Sequence, residues 1–95
     1  MAAYLIAEVE VKDPETYEEY RRQVGSTIEK FDGRIIIRGG AIEILEGQWK
    51  PRRLVILEFP DMDMLKRWYD SDEYQGLKEI RLRAASSNVM AIQGV

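Results

Sequence analysis

The chain has 95 residues and a formal net charge of −3, which predicts one domain over residues 1–95 and argues against nucleic acid or an anionic membrane as a partner. Its composition, 45% hydrophobic and 33% charged, is that of a globular protein, and neither histidine nor cysteine occurs. Their absence excludes disulfides, thiolate or imidazole metal sites, histidine-ligated haem and histidine-based catalytic triads, so we expect no metal and no other cofactor.

The first part of the chain predicts a strand followed by a helix. Tyr4 to Val11 alternates apolar and polar residues, which is typical of a strand. Asp13 and Pro14 then form a helix start, with Asp as the N-cap and Pro at the first helical position. Gly33 is the expected stop of this helix, and Gly25 in its interior costs about 1 kcal/mol relative to Ala unless a close packing contact compensates. Apolar and aromatic residues recur at helical spacing between them, at Tyr17, Tyr20, Val24, Ile28 and Phe31.

The next stretch predicts a β-hairpin. Arg34 to Arg38 is rich in β-branched residues and is expected to be a strand. Gly39-Gly40 interrupts it as a bulge, after which Ala41 to Leu45 continues the strand. Glu46 to Gln48 has the chemistry of a turn, and Arg52 to Phe59 is the returning strand.

The last third predicts two helices and a final strand. Asp61 is the expected cap of a short helix, Ser71 caps a second helix, and Ser87 to Val95 forms the last strand. The resulting order is typical of the ferredoxin-like split βαβ sandwich, an α+β fold with a four-stranded antiparallel sheet and its helices on one face. The alternative is another two-layer α+β sandwich with a different strand order. The second helix turns these residues inward: Tyr74, Leu77, Ile80 and Ala84.

The N-terminal residues and the apolar runs bear on targeting. Met1 to Leu5 has no basic region ahead of an apolar stretch, so we do not expect a signal peptide. No apolar run approaches the length of about 18 residues that suggests a membrane-spanning helix. We therefore expect a cytoplasmic protein without a membrane partner.

The two faces of the predicted sheet differ in an informative way. Odd-numbered strand positions are almost wholly apolar and are expected to face the helices. Even-numbered positions do not alternate to polar residues as a surface exposed to water would. An apolar patch of this kind indicates an interaction surface, and a second copy of the chain, packed sheet to sheet, is the simplest partner. The patch comprises Tyr4, Ile6, Ile36, Leu54 and Ile56, with Met90 and Ile92 as candidates from the last strand.

Several short motifs, in this order and spacing, resemble a family of small uncharacterised proteins in the dimeric α+β barrel superfamily. The resemblance implies that two ferredoxin-like protomers close their sheets into one barrel. The wider superfamily includes haem-degrading and cofactor-free monooxygenases, and the absence of histidine argues against the haem branch. The matching pieces are Asp13-Pro14 with Tyr17 and Tyr20, Arg38-Gly39-Gly40, Glu46-Gly47 with Trp49, Pro51 and Arg53, Glu58-Phe59-Pro60, and Trp68-Tyr69 with Ser71 and Tyr74.

Arg38, Glu58 and Glu8 form the sharpest candidate site. A hairpin that turns near Gly47 places Arg38 opposite Glu58, although a bulge could shift the register by one residue. Glu8 comes from the strand expected on the other side of Glu58. In the functional interpretation Arg38 orients an anionic or carbonyl ligand at the end of an apolar cavity inside the barrel, and Glu58 is the candidate catalytic base. The structural alternative is a buried ion pair that fixes the strand register or the dimer contact.

A second group of side chains lies near turns and helix starts and could line the pocket or its mouth. The group comprises Trp49, Arg53, Trp68, Tyr69 and Tyr74. The alternative is packing in the core or the dimer interface, which helical spacing favours for Trp68 and Tyr74. Arg81 and Arg83, by contrast, are expected to be solvated charges on a helix face.

Two functional hypotheses follow for the predicted homodimer. In the first, the protein binds or transforms a small polar or aromatic metabolite without a cofactor. In the second, it is a non-catalytic dimerisation or interaction module with a packed barrel interior. An open cavity that contains Arg38 and Glu58 would favour the first hypothesis, and a fully packed interior would favour the second.

Overall fold

The computed structural model of the protein describes residues 1–95 and contains four strands and three helices. The elements are β1 (Ala3–Val11), α1 (Pro14–Glu29), β2 (Arg34–Arg38), β3 (Arg53–Phe59), α2 (Met62–Asp70), α3 (Asp72–Ala84) and β4 (Ala85–Gln93). The final strand begins at Ala85, two positions before the expected Ser87, because it follows directly on the end of α3. No helix has both the length and the apolar character that crossing a lipid bilayer requires.

The strands form one antiparallel sheet in the order β2-β3-β1-β4, which confirms the ferredoxin-like α+β fold. Burial alternates along β1, where odd-numbered residues such as Leu5 and Val9 are buried beneath the helices. Even-numbered residues such as Tyr4 and Ile6 lie on the opposite face, hereafter the open face, which no helix covers. The predicted division of β1 between the two faces is therefore confirmed.

Side-chain caps set the three helix starts. An Asp13 carboxylate oxygen accepts a hydrogen bond from the Thr16 backbone N–H at 3.3 Å, and Asp61 accepts one from the Met64 N–H at 2.8 Å. The Ser71 hydroxyl accepts the N–H of Tyr74 at the start of α3. Each cap satisfies a backbone donor that the first helical turn leaves unpaired, which is why the local sequence predicted all three starts.

An aromatic stack forms the centre of the core between the helices and the sheet. The Trp68 ring lies 4.1 Å from the Tyr74 ring and 5.5 Å from the Phe59 ring, measured between centroids. The Trp68 Nε1 group donates to the Thr27 hydroxyl at 3.0 Å, so the indole ties α2 to α1 while it packs against β3. The stack thus holds the helical layer at a fixed position over the sheet.

The predicted continuation of β2 beyond Gly40, which would extend the hairpin with β3 toward its turn, is wrong. Residues 39–52 contain no strand, and Ala41 to Leu45 does not extend β2. Gly39 has a φ of 63°, so the chain leaves the sheet there after its N–H donates to the Leu54 carbonyl at 2.7 Å. The bulge lies earlier than expected, between Ile35 and Ile37.

Two glycines also have roles other than those predicted. Asp32, with a φ of 62°, adopts the left-handed conformation after α1, and Gly33 instead permits a close approach. A Cβ atom at Gly33 would lie 2.5 Å from a ring carbon of Phe59 and 2.9 Å from Ile28 Cγ2. Apart from the adjacent residues and the backbone of the helix itself, no atom lies within 4 Å of the corresponding point at Gly25, so no close packing contact compensates for that glycine.

Replacement of Gly33 by Ala should therefore lower the free energy of unfolding by about 1–3 kcal/mol, because the added methyl group overpacks the space beside the Phe59 ring. The matched control, Gly25→Ala, should raise it by about 0.5–1 kcal/mol, since the residue is helical and the space is empty. Urea denaturation at one protein concentration measures both changes. Equal effects of the two substitutions would contradict the packing described for Gly33.

Candidate functional site

The predicted opposition of Arg38 and Glu58 is wrong. In the observed register Arg34 lies opposite Glu58, and Arg38 lies opposite Val55. The prediction assumed a tight hairpin around Gly47, whereas a long loop joins the strands and places no constraint on their register.

The bulge also moves Arg38 to the other face of the sheet. One extra residue between Ile35 and Ile37 reverses the alternation of side chains in the rest of β2. Arg38 shares its face with Val55, which packs against the core beneath the helices. Glu58, in contrast, is on the open face, so the two side chains lie on opposite sides of the sheet.

Glu58 instead joins Arg34 and Tyr4 in a row across three strands. Arg34 Nε donates to Glu58 Oε1 at 2.7 Å, and the Tyr4 hydroxyl donates to Glu58 Oε2 at 3.1 Å. The hydrogen bond from Arg34, and then that from Tyr4, holds the pKa of the Glu58 carboxyl below its ordinary value. A carboxylate stabilised in this way is a weak base, and the role of Glu58 in catalysis stays a prediction.

Glu8 does not join this row. It lies opposite Leu54 on the same face, and its two carboxylate oxygens accept hydrogen bonds from the Asn88 side chain and the Arg52 N–H, each at 3.1 Å. The structure therefore brings none of the three predicted residues Arg38, Glu58 and Glu8 into contact with another.

A cavity of about 60 Å³ lies between the sheet and the helices. The cavity predicted from the sequence lies inside the barrel, between the open faces of two copies, and stays a prediction; the cavity observed here is on the other face of the sheet. Its wall is apolar and aromatic except for four arginines, and no carboxylate lines it. The arginines are Arg21, Arg38, Arg53 and Arg81.

Arg81 is the residue that the sequence analysis missed. Its expected exposure is wrong, because only 6% of its surface is accessible, and its Nε donates to the Tyr74 hydroxyl at 3.3 Å. Burial acts to lower the pKa of Arg81, but its interactions with Tyr74 raise it, and the net shift is upward. Arg81 takes part in none of the five ion pairs, so a cation is buried without a carboxylate beside it.

Arg53 reaches the cavity from β3. It lies opposite Val9 on the helix-covered face, and its guanidinium carbon is 5.9 Å from the centre of the Tyr17 ring. The Nε atom of Arg53 is buried and has no hydrogen-bond partner. Gly39 packs against this nitrogen so closely that a Cβ atom there would lie 2.7 Å from it.

Two tyrosines extend the polar wall from Arg81. The Tyr20 and Tyr74 hydroxyl oxygens are 2.9 Å apart and share a hydrogen bond. Burial, and then the neighbouring Tyr74, raises the pKa of Tyr20, and burial also raises the pKa of Tyr17. Tyr17 and Tyr20 therefore stay neutral and keep their protons at neutral pH.

The predicted aromatic group divides in the structure. Trp68 and Tyr74 are buried and line the cavity, as part of the core. The Tyr69 ring lies beside that of Tyr74 and beneath the Lys78 ammonium, outside the cavity wall. Trp49, in the 39–52 loop, is 67% exposed and is not among the residues that line the cavity. A role in ligand binding stays a prediction for all of them.

The arrangement can bind an electron-rich group but offers no group of Asp and Glu side chains able to hold a metal ion. The arginines and tyrosines of the cavity are hydrogen-bond donors, and the carboxylates of the chain lie elsewhere.

One sequence signal could have located Arg81. With Tyr74, Leu77 and Ala84 it shares the buried face of α3 at helical spacing.

Comparison with known proteins relates the whole chain to one family. The model of a family described as a domain of unknown function, DUF1330, matches residues 2–95. No curated protein sequence matches significantly. The match agrees with the resemblance to uncharacterised proteins inferred from the motifs.

Three solved structures show the same fold at low sequence identity. A protein of unknown function from Rhodopseudomonas palustris is 18% identical, with a TM-score of 0.77, and the match covers 99% of this chain and 82% of that one. A dimeric ferredoxin-like protein of unknown function from Jannaschia is 12% identical, with a TM-score of 0.75 and coverage of 99% and 100%. SnoaB, a cofactor-independent oxygenase from Streptomyces nogalater, is 11% identical, with a TM-score of 0.68 and coverage of 99% and 93%.

The observed register predicts a specific energetic coupling on the open face. In double-mutant cycles Glu58→Gln should couple with Arg34→Met and not with the matched control Arg38→Met. The pKa of Glu58 is lowered in the folded state. The stabilisation by the Arg34–Glu58 pair is therefore complete when the pH is above the ordinary carboxyl pKa of 4.5, and it is lost as the pH falls through the lowered pKa. Urea denaturation at neutral and acidic pH measures the coupling, and a coupling with Arg38 would overturn the register.

Proposed function

We propose that the chain, which belongs to the DUF1330 family, binds a small and largely apolar molecule in the cavity between its sheet and its helices. The observation that carries the proposal is a buried Arg81 without a carboxylate partner in the wall of a mainly apolar cavity. An apolar pocket with a few convergent polar groups is the usual form of a small-molecule site.

The unpaired polar groups favour a role in ligand binding over a purely structural role. A buried guanidinium without a counter-charge costs several kcal/mol, and a hydrophobic side chain of similar size would avoid that cost. The Nε atom of Arg53 is, in addition, a buried donor without an acceptor. Both groups lie at the cavity, where a bound molecule would supply the missing acceptors.

Cofactor-free transformation of the ligand is the second candidate function. Tyrosine hydroxyls and arginines beside an apolar space can stabilise a developing oxyanion, and the SnoaB oxygenase has the same fold. At 11% identity that likeness concerns the fold alone. Binding has the stronger support because no carboxylate lines the cavity to act as a base, and Glu58 is on the other face of the sheet.

We further propose that the open face pairs with a second copy of the chain. Ile6, Leu54 and Ile56 lie at its centre and are partly exposed, while Met90 is 58% and Ile92 50% exposed. The similar Jannaschia protein is dimeric. A homodimer with the two sheets face to face would remove this apolar surface from water, and it leaves the cavity of each protomer intact on the opposite side.

A small molecule bound in the cavity should shift the methyl NMR signals of the residues around it. Titration with indole, benzamide and cyclohexanol should move those of Val24, Leu57 and Val89, which line the cavity. The Ile44 signal, from the exposed loop, and the Ile6 signal, from the open face, are internal controls and should stay in place.

A matched pair of variants tests the location. Ala7→Leu narrows the cavity from the sheet and should weaken binding, whereas Ala41→Leu, in the exposed loop, should not. Signals that move only on the open face, or an Ala7→Leu protein that binds as tightly as the parent, would contradict the proposed site.

The proposed homodimer predicts a mass of twice 11.1 kDa at micromolar concentration, measured by light scattering coupled to size exclusion. Ile56→Lys and Met90→Lys should give monomers, because each would bury an unpaired charge at the contact. Leu82→Lys is the matched control, since Leu82 is 60% exposed on α3 away from the open face, and it should stay dimeric.

Met90 is exposed in the protomer, so its replacement by Lys should leave the folded monomer stable even if Ile56→Lys impairs folding. A parent chain that is monomeric at this concentration, or a Met90→Lys variant that remains dimeric, would overturn the sheet-to-sheet contact.

A further inference from the structure

We propose that the cavity recognises a small carboxylate with an apolar body, and that Arg81 and Arg53 hold its carboxylate group. This inference rests on the binding site proposed above and adds the chemical class of the ligand. It follows from the hydrogen-bond donors that the folded chain leaves without acceptors at the cavity.

Arg81 supplies the first set of free donors. Its guanidinium carries several N–H groups and no acceptor, and its single hydrogen bond runs from Nε to the Tyr74 hydroxyl. The remaining N–H groups have no protein partner, although only 6% of the residue is exposed. The residue lines the cavity and these nitrogens are not closed off by protein atoms, so a molecule in the cavity can accept from them.

The tyrosine pair supplies a further donor. An arginine can only donate, so Tyr74 accepts from Arg81 and still has its own proton to share. The hydrogen bond between Tyr74 and Tyr20 uses one of the two hydroxyl protons, whichever residue donates it. The other proton has no acceptor in the protein, and both residues line the cavity.

Arg53 supplies the third source of free hydrogen-bond donors. Its Nε is buried without a partner, on the same face of the sheet as the cavity. The Tyr17 ring on one side and the close backbone of Gly39 on the other limit the positions open to the guanidinium. It is therefore held where it can donate to a group in the cavity without first being ordered.

The charge around the cavity agrees with an anionic ligand. Of its four arginines only Arg21 has a carboxylate partner, Glu18 on the exposed side of α1. The cavity is thus locally cationic in a chain whose net charge is −3. A carboxylate is all acceptor and matches the planar fork of an arginine, while its apolar body suits the aromatic wall.

Isothermal titration calorimetry with matched ligands tests the proposal. Benzoate and hexanoate should bind at least about tenfold more tightly than benzamide and hexanamide, because the neutral amides lose the charge-assisted hydrogen bonds. The same preference should fall by at least about tenfold in Arg81→Met and Arg53→Met. Arg83→Met, an exposed position on the same helix, is the control and should bind like the parent.

The free energy of unfolding separates recognition from structural support. Arg81→Met should be as stable as the parent or more stable, since it replaces an uncompensated buried charge by an apolar side chain. Arg53→Lys keeps the charge and loses the fork, so it serves if Arg53→Met does not fold.

The outcomes distinguish the two proposals. If the amides bind in the cavity as tightly as the carboxylates, by the methyl signals described above, the site stands and the carboxylate preference is overturned. If carboxylates bind there but Arg81→Met and the Arg53 variants bind them equally well, the assignment of these arginines is overturned. If none of the four compounds moves a cavity signal, both the binding site and the carboxylate preference are overturned.

Discussion

A single extra residue in β2 decides which side chains meet in this protein. The bulge between Ile35 and Ile37 reverses the alternation of the strand, so residues before it and after it face opposite sides of the sheet. Arg34, before the bulge, binds Glu58 on the open face. Arg38, after the bulge, lies beneath the helices at the cavity. Without the bulge Arg38 would lie on the open face, and the cavity would lose one of its arginines.

Burial of Arg81 links the helical layer to the site. Arg81 donates to the Tyr74 hydroxyl, the Tyr74 ring packs against Trp68 in the core, and both aromatic rings form part of the cavity wall. The packing of the core and the proposed recognition of a ligand therefore depend on the same side chains. This dependence is typical of binding sites built on rigid elements, where the core supplies the precision that a surface loop lacks.

The sequence predicted those parts of the structure that local chemistry determines. Helix starts at Asp13 and Ser71 depend on contacts within one turn, and the faces of β1 follow from strict alternation. Strand register is different, because it depends on the position of a bulge and on the length of a loop, which no local sequence pattern predicts. The predicted partner of Glu58 was therefore wrong. Arg81 was missed because its charge suggested exposure, although its helical spacing placed it among buried residues.

The 39–52 loop joins two arginines of the cavity, Arg38 at its start and Arg53 just beyond its end. The hydrogen bond from the Gly39 N–H to the Leu54 carbonyl closes it at the base. Because the entropy of loop closure changes slowly with length, insertions or deletions beyond that bond leave the two arginines in place. The sequence of this segment, including its exposed Trp49, can thus change without moving Arg38 and Arg53.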